Sequence, residues 1–314
     1  MFSSFKQLKS CGRSLRYLSM SRSQLSAQVS AKRYSITDIQ ELHRQRKPIS
    51  MITAYDYISG KYAEKADIEV VLVGDSLAMV SLGYESTNEI TLEEFLYHVR
   101  AVARGNRTSL LVSDVPFGYF EESTEQAVRT AARFIREGKV QALKLEGGRA
   151  VAPTVQKLTS IGVPVMGHVG LMPQHHNALG GFKVQGTSVA DAVAILDDCR
   201  ALEQAGAFAV VLECVPAKLA EKLTESLSIP TIGIGAGPHC SGQVLVMSDM
   251  LGMGDPSETT TPKFVKQYGD FFSHAVRSLA QYKKDVQRGS FPDVDLHSYK
   301  IKKDVLSKFT DKLN

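Results

Sequence analysis

No run of about 18 consecutive apolar residues occurs in the chain, so no segment reads as a membrane-spanning helix. The four cysteines, Cys11, Cys199, Cys214 and Cys240, lack C-x-x-C or any similar metal-type spacing. They read as reduced thiols of an intracellular compartment. Acidic residues are absent from the first 37 positions, which hold seven of the 37 Lys and Arg. The other 30 basic residues face all 33 acidic ones, so the formal charge of +4 belongs to the N terminus and the body is slightly acidic. A nucleic-acid-binding protein carries its positive charge on a folded face, and that class is excluded.

What the N terminus does hold is basic and hydroxylated. Nine serines and two phenylalanines accompany the cations in the first 33 residues. Acid-poor, Arg- and Ser-rich termini are typical of organellar transit peptides. In the stretch 5–18, Phe5, Leu8, Leu15 and Leu18 fall near one helical face and cations on the other, weakened by Gly12. Residues 1–33 therefore read as a disordered mitochondrial presequence, cleaved between Leu18 and Lys32, with the matrix as destination. A basic tail without a targeting role is the alternative. Residues 34–290 read as the folded domain and 291–314 as a polar, lysine-rich, exposed tail.

With 43% hydrophobic and 22% charged residues, the body has an ordinary globular composition. Short apolar runs recur through it and nearly all end on a reactive residue: 51–56 on Asp56, 70–76 on Asp75-Ser76, 110–114 on Asp114 and 142–146 on Glu146. Next come 163–168 ending on His168, 210–213 on Glu213, the glycine-rich 232–237, and 244–249 on Asp249. Parallel strands buried on both faces read this way. Helical patterns alternate with them at about 59–67, 91–104, 123–137, 150–161, 188–205 and 216–227, with a long one over 262–286. Thr37 or Ser35 caps a further helix ahead of Pro48. Alternation over this length predicts an α/β fold, a single-domain (β/α)8 TIM-type barrel with an N-terminal helix, whose usual size is about 250 residues.

In such a barrel the C-terminal strand ends meet at one mouth, where the chemistry sits. Asp75, Asp114 and Glu146 then offer three hard oxygen ligands to a divalent cation, and Mg²⁺ takes only one or two carboxylates directly. Each acid alone also fits the role of helix cap or loop residue. Ser76 adds a hydroxyl suited to a ligand carboxylate. Lys144 lies two residues before Glu146 and points to the same side, where it would be paired with acids and meet an anionic substrate. Glu213 follows an apolar run with no cation near it in sequence, a setting that suits a general base. Two readings of His168 stay open, substrate or proton handling and a structural hydrogen bond. The glycines of 232–237 fit a phosphate loop or merely a crowded rim, and Gly180–Gly186 reads as a lid or substrate-binding loop.

The segments Thr53–Asp56, Val73–Leu77, Lys144–Gly148, Gly167–Gln174, Gly180–Gly186, Leu212–Pro216 and Ile232–Gly237, in this order over roughly 35–290, resemble the ketopantoate hydroxymethyltransferase family. The resemblance implies transfer of a hydroxymethyl group from 5,10-methylenetetrahydrofolate to 3-methyl-2-oxobutanoate, giving ketopantoate in pantothenate and coenzyme A biosynthesis through a Mg²⁺-stabilised enolate. It implies Asp75, Asp114 and Glu146 as metal ligands, and Asp75, Ser76, Asp114 and Lys144 as oxo-acid contacts. Glu213 is then the proton acceptor. A homo-oligomer, possibly a decamer, is implied as well. The family pattern has Asp at the position of Ser241 and His at that of Ser248, so the lining near the eighth strand differs here. A Mg²⁺-dependent 2-oxo acid lyase or mutase of the isocitrate lyase type is the competing enzyme, but its Lys-Lys-Cys-Gly-His-like run is absent. A non-catalytic barrel would have lost charge at Asp75, Asp114 or Glu213, and all three are present.

Overall fold

Eight parallel strands close on themselves in sequence order, β1 (Ile49–Thr53), β2 (Val70–Val73), β3 (Leu110–Asp114), β4 (Ala142–Glu146), β5 (Val165–Gly170), β6 (Ala209–Glu213), β7 (Thr231–Ile234) and β8 (Gly242–Leu245), with β8 pairing back on β1. The structure is a computed structural model that describes residues 32–179, 181, 183–258 and 260–313. The presequence, up to Ala31, lies outside the described residues, as do Gly180 and Phe182 of the expected lid loop.

The strands are apolar on both faces because each face is buried against something different. Val71, Leu111, Leu143, Leu145, Val210 and Leu212 face an outer layer of helices, whereas Val70, Leu72, Val112, Ala142, Met166, Ala209 and Val211 fill the barrel interior. Side chains alternate along a strand, so residues two positions beyond an interior one are interior too. On β4 the interior series is Ala142, Lys144 and Glu146. On β5 it is Met166 and His168, and on β6 Ala209, Val211 and Glu213. The polar residues thus form the top layer of a packed core rather than a separate site.

Of the helices α1 (Ile36–Arg44), α2 (Tyr57–Lys65), α3 (Leu77–Val80), α4 (Leu92–Gly105), α5 (Thr124–Arg133), α6 (Ala152–Ser160), α7 (His176–Leu179), α8 (Val189–Gln204) and α9 (Ala217–Ser226), all but the one-turn α3 and α7, which no sequence pattern marked, follow the patterned segments closely. Ser35, Thr91, Ser123 and Ser188 cap α1, α4, α5 and α8, each accepting from an early backbone N–H. Helix α4 turns Phe95, Leu96, Val99 and Val102 inward at the spacing one helical face requires. α1 packs Ile39, fully buried, into the interior cluster of the barrel. Just ahead of it Arg33, assigned by sequence to the presequence, is fastened to the barrel: its guanidinium donates to Asn106 O at 2.6 Å, Ser109 O at 3.3 Å and Gln141 Oε1 at 2.9 Å.

The C-terminal part departs from the pattern. The run 244–249 does not form one strand: β8 ends at Leu245 and Asp249 lies in the short α10 (Met247–Leu251). No helix separates β7 from β8 among the described residues. The long helix expected over 262–286 is α11 (Phe271–Arg288), capped by Asp270, because Phe264 is drawn toward the interior cluster instead. Helix α11 buries none of its residues. Beyond it, the stretch read as a polar tail contains α12 (Val294–His297) and α13 (Lys303–Thr310), both exposed.

Candidate active site

The strand register sets the site. Asp114 pairs with Lys144, Glu146 with His168, and Gly170 with Glu213. The side chains of β3 to β6 therefore step around the mouth as acid, ammonium, acid, imidazole and acid. Gly170, at φ +92°, makes the last step possible, since a Cβ there would stand 2.3 Å from Glu213 O. Leu171 N donates to that same oxygen at 2.9 Å.

Lys144 is the electrostatic centre. Its Nζ lies 2.8 Å from Asp114 Oδ1, 3.8 Å from Glu146 Oε1 and 3.1 Å from His168 Nδ1, and it is almost wholly buried. Burial works against the ammonium, yet Asp114, Glu146 and Asp75 hold it well above the ordinary lysine range. His168 bridges two acids, with Nδ1 3.4 Å from Glu146 Oε1 and Nε2 3.1 Å from Glu213 Oε2. The second contact is close without being aligned as a hydrogen bond. Burial and Lys144 push the imidazole down, but Glu146 and Glu213 outweigh them and raise it to about 9. Glu146 is held below its usual range because His168 and Lys144 overcome the burial of its carboxyl. Glu213 stands at the edge: its side chain is 15% exposed, against 2% for His168. Sequence left it without a partner; the fold supplies His168.

Asp75 lies two residues beyond β2, in the turn that starts α3. Its backbone N–H donates to Asp114 Oδ2 at 3.0 Å, which sets the two carboxylates side by side. Burial, then Asp114 and Glu146, push the Asp75 carboxyl well above its ordinary value. Ser76 is next to it, its Oγ buried without a hydrogen-bond partner among the described residues. Among those residues no three His, Cys, Asp or Glu side chains form a ready metal cage. The donor set still fits Mg²⁺, which needs one or two carboxylates and keeps other positions for water or substrate oxygens. Two adjacent buried carboxylates supply that, and the repulsion that raises Asp75 is what a cation would relieve.

One residue of the site was not singled out by sequence. Gln174, in the turn Pro173–His175 after β5, donates from Nε2 to Asp75 Oδ2 at 2.8 Å and to Val115 O at 3.0 Å, while its backbone N–H donates to Glu146 Oε2 at 3.0 Å. It closes the resembling segment Gly167–Gln174, and that was the only signal for it. In contrast, Asp56 caps α2, accepting from Ser59 N at 2.7 Å, and Asp249 is half-buried in α10.

A closed barrel whose mouth gathers acids around one buried ammonium, with a partly open carboxylate at the edge, defines a (β/α)8-barrel enzyme. More particularly, the chain belongs to the ketopantoate hydroxymethyltransferase family, whose model, described as Ketopantoate hydroxymethyltransferase, matches residues 33–294. It is similar to the 3-methyl-2-oxobutanoate hydroxymethyltransferase of Carboxydothermus hydrogenoformans, at 50% identity over 276 residues, 88% of this chain and 99% of that protein. The protein of the same name from Emericella nidulans is 46% identical over 278 residues, covering 88% of this chain and 79% of that one. Among solved structures, phosphonopyruvate hydrolase in complex with oxalate and Mg²⁺ has a TM-score of 0.53 at 13% identity, over 89% of this chain and 96% of that one. 2,3-Dimethylmalate lyase, a PEP mutase/isocitrate lyase superfamily member, has 0.51 at 14%, over 89% and 99%. At such identities the likeness shows the fold alone, whereas the near relatives speak for the transferase and against the lyase alternative.

Proposed function

We propose that the chain is a 3-methyl-2-oxobutanoate hydroxymethyltransferase of pantothenate biosynthesis, with 5,10-methylenetetrahydrofolate as one-carbon donor and Mg²⁺ as its cation. The observation that carries this reading is Lys144, a buried ammonium between Asp114 and Glu146 that His168 links to the partly open Glu213. Asp75, Asp114 and Glu146 are the residues that would hold Mg²⁺, which when bound supplies Lewis-acid polarisation of the 2-oxo group. Lys144 sets its positive charge against the substrate's oxygens, where negative charge grows as the C3 proton leaves. Asp75, Ser76 and Asp114 border that position, and the free Ser76 Oγ is available to the substrate carboxylate. His168 stands between Lys144 and Glu213, with Nδ1 toward the one and Nε2 toward the other. Glu213 takes the C3 proton, and the resulting carbanion attacks the methylene carbon that the folate presents. The bond from that carbon to one folate nitrogen breaks, and water then displaces the other nitrogen to leave the hydroxymethyl product and tetrahydrofolate.

A homo-oligomer belongs to the proposal, and α11 supports it. Its apolar side chains Val276, Leu279, Tyr282 and Val286 recur on one face and are all exposed. Between α2, β1, β8 and α10 lies an apolar cavity of about 360 Å³ lined by Ile52, Tyr62, Ile68, Leu245, Met250 and Leu251, among others. In a complete barrel unit a helix after β8 covers that flank. A mitochondrial location is proposed from the basic, acid-free N terminus alone.

Hydrogen exchange at C3 of 3-methyl-2-oxobutanoate in D₂O, followed by NMR, tests the reading. Exchange that needs Mg²⁺ and stops with EDTA is expected. Absence of exchange with Mg²⁺ present, both with and without the folate, would overturn it.

A further inference from the structure

Among the described residues, Gln174 is the one neutral side chain that hydrogen-bonds the acids of the mouth and is itself almost wholly buried. Both hydrogens of its carboxamide are used, on Asp75 Oδ2 and Val115 O. Because both partners are acceptors, only the nitrogen can face them, so the orientation of the amide is fixed by the network. No other group among the described residues donates a hydrogen bond to the Asp75 carboxylate, which otherwise faces the like charges of Asp114 and Glu146, offset in part by Lys144. The backbone of the same residue grips a second acid, donating to Glu146 Oε2, and its carbonyl accepts from Asn88 Nδ2 at 3.0 Å. The loops after β2, β3 and β5 and the last residue of β4 thus meet on one residue: Asn88, Val115 and Gln174 come from the loops and Glu146 from the strand end.

A space-filling role accounts poorly for this. A buried amide costs stability unless each polar atom is satisfied, and Gln174 Oε1 has no partner among the described residues. A methionine or leucine would fill the volume without that cost. We propose that Gln174 is a positioning residue for the cation and oxo-acid site: its carboxamide holds the Asp75 carboxylate and its backbone holds that of Glu146, fixing the angle between acids from two strands. Partners that orient ligands from behind are worth about 10- to 100-fold in metal affinity in other metal sites.

The inference rests on the divalent-cation reading, and the test separates the two. Binding of Mn²⁺ to the whole protein without folate, followed by loss of the free-ion EPR signal, is compared between wild type and Gln174→Met, a swap of similar volume that removes the donor. A 10- to 100-fold weaker Mn²⁺ dissociation constant with an unchanged melting temperature of the metal-free protein is expected. In turnover, kcat at low Mg²⁺ should fall and recover as Mg²⁺ is raised, which a purely structural defect would not do. Equal Mn²⁺ affinity in the two proteins would overturn the positioning role while leaving the cation site standing. No Mn²⁺ binding by wild type would instead overturn the cation reading and this inference with it. Should Gln174→Met fail to fold, Asn88→Ala, which loosens the Gln174 carbonyl from outside, is the second probe: a threefold or greater loss of Mn²⁺ affinity supports the role, and an unchanged affinity ends it.

Discussion

His168 Nε2 lies 3.1 Å from Glu213 Oε2, and this contact joins the buried half of the mouth to its open edge. Through the same ring, Nδ1 meets Lys144 Nζ at 3.1 Å, so the residues proposed to hold the oxo acid and the residue proposed to take its proton share one imidazole.

The first prediction concerns that edge. Glu213→Gln keeps the size of the side chain and removes the proposed base. Turnover should drop by on the order of 10² to 10⁴-fold, as for loss of a general base, while the oxo acid still binds in calorimetry. A variant with wild-type C3 exchange in D₂O would remove Glu213 from the role.

Asp114→Asn tests the other end. The amide retains the shape but lowers the charge beside Asp75, so the Mg²⁺ concentration giving half-maximal activity should rise at least tenfold. A Mg²⁺ titration that overlays that of wild type would show that Asp114 does not hold the cation.

Lys144 also carries a stability prediction. Replacing it with Met strands the buried carboxylates of Asp114 and Glu146 without their ammonium. Breaking a buried ion pair from one side typically costs about 3–5 kcal/mol. Urea unfolding at neutral pH with EDTA should therefore show a clear loss of stability, and an unchanged midpoint would mean that the acids are already neutral in the metal-free fold.

For the assembly, Leu279→Asp places a charge in the centre of the exposed stripe of α11, where Leu279 is 68% exposed. If that stripe docks on the flank of a second copy, sedimentation should shift to smaller species with the circular dichroism unchanged. If the assembly is the same with aspartate there, α11 is not its contact.

Much of this was legible in advance, for reasons that differ by residue. The strands over 110–114 and 142–146 needed only their apolar runs, and the register then follows from closing the barrel. Lys144 and Glu146 share a face because strand periodicity is two. Other features depend on contacts that no local pattern encodes. Gln174 has neither charge nor periodicity to mark it, and its importance comes from Asp75, 99 residues away. The run ending at Asp249 was divided between strand and helix, and short apolar runs do not distinguish the two. The partner of Glu213 sits on the adjacent strand, paired in space but 45 residues earlier in the chain.

Arg33 has a consequence of its own. Its guanidinium reaches three acceptors on the loops after α4 and before β4 and stands directly ahead of the helix that carries Ile39 into the barrel. Any proteolytic maturation of the N terminus therefore has a downstream limit: a cut after Arg33 would strip a staple from the floor of the barrel.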